Sequence, residues 1–148
     1  MSKDLYDLFD TDPSLEAAGV RIYYGEDIYL DVARAGGNNK RFARRLEALM
    51  KPYRRNIQMD AMDEEVARGL LIQAFAETVV TGWGSKAQGD GKFPFRDKDS
   101  KETVYLDFTV DNVKKVFTRL PNLFDDVRAQ SATISLFRSE EAEADAKN

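Results

Sequence analysis

An apolar stripe from Met62 to Trp83 constrains this chain more than any other feature. Met62, Val66, Leu70, Ala74, Phe75, Val79 and Trp83 recur at helical spacing, and Leu71 and Ile72 widen the stripe. A helix apolar around so much of its circumference is buried, so the rest of the chain must supply a shell around it. Asp60 reads as the N-cap, with Asp63, Glu64 and Glu65 in the first turn, where the helix dipole favours negative charge. Gly82 and Gly84 read as the stop. The spacing therefore predicts a central helix over 60–82, with the only tryptophan on the break.

The shell comes from both sides. Upstream, Leu5, Leu8 and Phe9 share a helical face among Asp4, Asp7 and Asp10, ended by the Asp12-Pro13 turn signal. This short amphipathic helix reads either as a flap packed on the domain or as a peptide for a partner's groove. Val20, Ile22 and Tyr24, then Ile28, Leu30 and Val32, alternate around Gly25-Glu26-Asp27 and predict a β-hairpin over about 19–33. An isolated hairpin is marginal, so it must pack on the helices or pair with another strand.

Gly36-Gly37-Asn38-Asn39 breaks the chain, and Phe42, Leu46, Leu49, Met50 and Tyr53 then predict a helix over 40–51, ended or kinked by Pro52. Its opposite side carries Arg41, Arg44 and Arg45, with Lys40, Lys51, Arg54 and Arg55 nearby and only Glu47 to offset them. That basic face is a solvated surface, a site for an acidic protein partner or, third, a nucleic-acid contact. No aromatics interleave as a base-stacking platform needs.

Downstream, SKAQGDGKFPFRDKDSKE (85–102) reads as a polar loop, and Thr103 to Phe108 offers room for a short extra strand. Thr109 caps a helix over 110–120 with Val110, Val113, Val116, Phe117 and Leu120. Pro121 opens another over 121–137, with Leu123, Phe124, Val127, Ile134 and Phe137. The expected fold class is mainly α: one small helical domain over 1–138, with an N-terminal β-hairpin. The tail 139–148, SEEAEADAKN, carries no large anchor and is expected to be disordered.

The chemistry open to such a chain is narrow. It contains no cysteine and no histidine, so thiolate catalysis, disulfides and the commonest general base and metal ligand are all missing. Gly89-Asp90-Gly91-Lys92 lacks the spacing of a P-loop. Asp97 and Asp99 begin a calcium-loop spacing, but Lys101, Glu102 and Phe108 fall where ligands or the invariant glycine belong. Asp125 and Asp126 are adjacent on a helix and point in different directions, unlike a catalytic pair across a cleft. No catalysis, cofactor or metal is expected. No apolar run approaches the roughly 18 residues that span a bilayer. The acidic start does not fit a signal peptide, so the expectation is a protein of the cytoplasm. A net charge of -4 gives no global drive toward nucleic acid or membrane.

The order of motifs in the second half carries further information. Val79-Val80-Thr81-Gly82-Trp83 is followed by Gly89-Asp90-Gly91-Lys92-Phe93-Pro94-Phe95, then Phe108-Thr109, then Leu120-Pro121-Asn122-Leu123-Phe124-Asp125-Asp126, and finally Phe137-Arg138. No one of these is diagnostic. In this order and spacing, over about residues 60 to 138, they resemble the tail assembly chaperones of long-tailed (siphovirus-like) bacteriophages. Gly36 to Asn39 with Phe42 resembles the front end of such proteins. One departure is the inserted stretch Arg96 to Asp107, where the family runs almost directly from the aromatic segment into the capped helix.

The resemblance implies a non-catalytic protein made in the host bacterial cytoplasm during infection and absent from the mature virion. Such chaperones bind the long tape measure protein, keep it soluble and recruit tail tube protein. On this reading Trp83, Phe117 and Phe124 rim an apolar groove between the central helix and the last two. Arg41, Arg44 and Arg45 meet an acidic stretch of a partner. Self-association along the ligand would suit the role. The alternative is a structural virion protein, a tail completion or head–tail connector component, with the hairpin adding strands to a neighbour. A small nucleic-acid-binding regulator using the basic helix is the third reading.

Overall fold

The computed structural model describes residues 4–138. The acidic tail 139–148, expected to be disordered, lies outside the described residues. Two short helices open the chain, α1 (Leu5–Phe9) and α2 (Pro13–Ala18), followed by strands β1 (Val20–Tyr24) and β2 (Ile28–Val32). Then come α3 (Lys40–Met50), a 3-10 turn at Lys51–Tyr53, α4 (Arg54–Gln58) and the central helix α5 (Glu64–Thr78). Strands β3 (Val80–Ser85), β4 (Gly89–Asp90), β5 (Lys92–Phe95) and β6 (Val104–Asp107) precede α6 (Val110–Arg119), α7 (Pro121–Ser131) and a 3-10 turn at Ile134–Phe137.

The expectation of a mainly α fold is wrong: this is a mixed α/β protein with a four-stranded antiparallel sheet, in the order β1-β2-β3-β4. The strands missed in this sheet are β3 and the short β4, and β3 is the one that changes the fold class. The helical reading carried α5 on to residue 82 because Val79 and Trp83 continue the stripe from Phe75. Instead the helix ends at Thr78 and the chain extends. Val79, Val80 and Thr81 are β-branched, and Gly82 and Gly84 are poor helix formers, so little is lost by leaving the helix. Much is gained, because β2 would otherwise be a bare edge: Ile28 pairs with Ser85, Leu30 with Trp83 and Val32 with Val80.

The two glycines therefore mark close packing rather than a helix end. On the outer face of the sheet the Tyr29 ring lies across Gly84, where a Cβ would overlap its hydroxyl. The Arg21 guanidinium sits 3.8 Å from the centroid of that ring and pairs with Asp31 at 2.8 Å.

The polar loop over 85–102 is also largely structured. β5 and β6 form their own antiparallel pair, with Phe93 opposite Leu106 and Phe95 opposite Val104. The inserted stretch 96–107 is thus the turn and second strand of a hairpin.

At the start of α5, Asp63 rather than Asp60 is the cap and accepts from the Glu65 and Val66 amides. Asp60 stands at φ 52°, just past α4, in the left-handed conformation that glycine usually supplies. The Ala61 amide reaches the Asn56 carbonyl at 2.8 Å and the Asp60 amide the Ile57 carbonyl at 3.1 Å, closing that helix. The last helix stops at Ser131 and not at 137.

One apolar cluster joins these parts. Ile22, Leu30, Val32, Val80 and Trp83 from the sheet meet Phe75 and Val79, and then Val113, Val116, Phe117, Phe124 and Val127 of α6 and α7. Phe75 and Phe124 meet edge to face at 5.2 Å, and Phe42 of α3 closes on Phe75 at 5.1 Å.

The second helix is held by a buried carboxylate. Glu16 of α2 is fully buried and accepts from Arg34 Nη1 at 2.7 Å, from the Asn38 amide at 2.6 Å and from the Thr11 hydroxyl. It ties α2 to the chain beyond the hairpin.

Candidate functional site

The helix α3 owes its place to Asn39, which is buried at the turn before it. Its side-chain amide donates to the Arg34 carbonyl at 2.8 Å and to the Thr78 carbonyl at 3.0 Å. The second bond satisfies one of the orphan acceptors at the end of α5. The start of α3 is thereby held beside the end of α5, with Phe42 turned inward and Arg41, Arg44 and Arg45 toward solvent.

These three arginines line a shallow cleft of about 470 Å³, completed by Ala48, Glu77, Thr78 and Val110. Their roles differ. Arg45 bonds Glu77 at 2.8 Å, and Gln73 donates to the same carboxylate oxygen at 3.0 Å. Burial acts to raise the Glu77 pKa, but the bonds from Arg45 and Gln73 outweigh it and the carboxyl is held below its ordinary value. Arg41 reaches the Glu77 carbonyl at 3.4 Å. Arg44 is exposed and has no ion-pair partner among the described residues. The cleft thus has a positive rim and an apolar component from Ala48 and Val110. Sequence reading missed Val110 and Glu77 as parts of it, since both come from other elements. The signal for Glu77 was its place four residues after Gln73 on α5.

The aromatic half of the expected site is differently placed. Trp83 is 2% exposed, and Phe117 and Phe124 are fully buried. They rim no groove, because the β5–β6 hairpin covers Trp83 and the α6–α7 pair closes over the phenylalanines. Trp83 stacks on Phe93 at 4.6 Å, meets Phe108 edge to face at 5.7 Å and donates its indole N–H to the Gly91 carbonyl at 3.2 Å. Phe117 packs against Phe124 at 5.2 Å. Neither Trp83 nor the two phenylalanines lines the arginine cleft, so the structure does not bring the two groups together in one site.

The paired acids of α7 have separate partners. Asp125 pairs with Arg68 at 3.1 Å, while Asp126 accepts from the Tyr24 hydroxyl at 2.7 Å and from Gln130 at 2.8 Å. Burial, and then the bond to Asp126, raise the Tyr24 pKa. Among the described residues no group of three or more acidic, histidine or cysteine side chains is placed to hold a metal ion. No described helix is long and apolar enough to cross a membrane.

A model of the YdaY prophage protein family matches residues 37–148. The match begins at the turn before α3, so α1, α2 and the β1–β2 hairpin precede it. No curated protein and no solved structure matches the chain.

Proposed function

The chain belongs to the YdaY prophage protein family, and we propose that this phage-derived protein is a tail assembly chaperone. It binds the tape measure protein, keeps it soluble and recruits tail tube subunits. It works in the host bacterial cytoplasm, without catalysis or a cofactor, and leaves no copy in the mature particle.

The observation that carries this reading is the arginine cleft beside α3. A tape measure is a long amphipathic helix that must be kept soluble before the tube encloses it. A shallow cleft with a cationic rim and apolar Ala48 and Val110 suits the acidic-apolar boundary of such a helix. Arg41 and Arg44 contribute most, because Arg45 is already engaged by Glu77. Shallow, charged contacts of this kind form fast and release easily, as a ligand that is later handed to the tube requires.

The test is co-expression with the tape measure protein of the same phage. The unmodified chain should keep that protein soluble and co-purify with it. Arg41→Glu with Arg44→Glu should lose it while the circular dichroism spectrum is unchanged. Undiminished co-purification overturns the role of the cleft.

A second reading, a structural virion component, is favoured by β1, whose outer edge has no partner strand among the described residues and could take a neighbour's strand. Mass spectrometry of purified particles separates the two. The chaperone is missing from them, and a virion component is present at fixed copy number.

A further inference from the structure

We propose that the chain assembles with itself through α1, which seats its acidic, apolar face in the basic cleft between α3 and α4 of a second copy. This goes beyond the chaperone reading and does not depend on it.

The donor element is α1. It is a formed helix: Asp4 and Asp7 close a reciprocal capping box. It is held at its far end, where the Arg138 guanidinium donates to the Leu8 carbonyl at 2.8 Å and the Asp12 amide to the Phe137 carbonyl at 2.6 Å. Yet Leu5, Tyr6 and Phe9 are each more than 60% exposed, and none of its residues is buried. Ordering a five-residue helix with its apolar side in water is unfavourable unless something covers that side. Its charges are all negative: Asp4, Asp7 and Asp10.

The acceptor lies where the 3-10 turn at Lys51–Tyr53 bends the chain between α3 and α4. A cleft of about 230 Å³ opens there, lined by Glu47, Met50, Lys51, Arg54, Ile57 and Gln58. That is too small for a typical bound small molecule and suits one or two large apolar side chains. Ile57 is 41% exposed and Met59 69%. Arg44 and Arg55 stand near in sequence, and Glu47 is the one acid between residues 40 and 59.

The two surfaces are complementary in both respects, apolar to apolar and acid to base. They are not joined within one chain, since the apolar residues of both are exposed together. The acidic residues 139–148 match the cleft in charge but hold no apolar residue larger than alanine. They supply no anchor for it. A second copy supplies both.

The absence of cysteine allows a direct trap. Full-length Phe9→Cys chains are mixed with Ile57→Cys chains under mild oxidation, and the disulfide-linked heterodimer is measured. Its yield should exceed that of a control pairing Phe9→Cys with Lys101→Cys. Adding Arg54→Glu to the Ile57→Cys chain should lower the yield about fivefold, and Asp10→Arg in its partner, which leaves the Asp4–Asp7 capping box in place, should restore it. Phe9, Asp10, Arg54, Ile57 and Lys101 are all exposed, so the substitutions leave the fold intact. A yield no higher than the control overturns the proposal. So does a chain carrying both cysteines that closes only on itself, or a cleft that becomes reactive only after residues 139–148 are removed.

Discussion

Trp83 concentrates what single residues do here. It belongs to β3, lies under the β5–β6 hairpin and is clamped by Phe93, Phe108 and the Gly91 carbonyl. Removing so large a buried side chain costs about 3–5 kcal/mol, a large part of the roughly 5–15 kcal/mol that holds a domain together. Trp83→Ala should therefore lower the urea midpoint sharply and lose helical circular dichroism on mild heating. Helical apolar spacing identified Trp83, Phe117 and Phe124 as facing something apolar. It could not say whether a partner or the chain itself covers them, because the cover over Trp83 is a hairpin whose polar residues read as a loop.

Glu16 carried no sequence signal at all: an isolated acid on a six-residue helix looks like surface. Burial works to raise its pKa, but bonds from Thr11, the Asn38 amide and Arg34 win and hold it at about 2. Its folded value lies below the ordinary 4.5, so the unfolded chain binds the proton first as pH falls. Stability from this group is complete above about pH 4.5 and drains away toward pH 2. Unfolding free energies at pH 7 and pH 3 should show that loss. Glu16→Gln should flatten it and cost about 3 kcal/mol at pH 7, since Arg34 is left beside a neutral group.

Among the elements, periodicity was informative where one face is wet and one dry. α3, α6 and the β1–β2 hairpin present unambiguous patterns. α5 does not, because it is apolar over so much of its surface that nothing in its spacing marks where helix becomes strand. Only the need of β2 for a partner decides it, and that need is non-local. Within α3 the arginines should separate by partner. Arg45→Glu sets a like charge against Glu77 and should cost about 1 kcal/mol in thermal or urea unfolding, modest because the pair is partly solvated. Arg44→Glu, with no counter-charge to lose, should leave the melting temperature unchanged.

For the molecule as a whole, the sheet is the joint between the N-terminal hairpin and everything after α5. The β2–β3 ladder brings together residues about 50 apart in sequence, with α3, α4 and α5 between them. A chain truncated after Thr78 keeps both early strands and all three of those helices but should remain unfolded, detectable by rapid proteolysis and a broad far-ultraviolet transition. The order of synthesis then acquires a meaning. As the chain leaves the ribosome, β1 and β2 emerge first and wait with both edges open until residue 85 has followed. At about 5–20 residues per second that is an interval of several seconds. Through that time the nascent hairpin can pair wrongly with a neighbouring nascent copy on the same message. Charged Arg21 and Asp31 on its outward face are what the chain sets against that error.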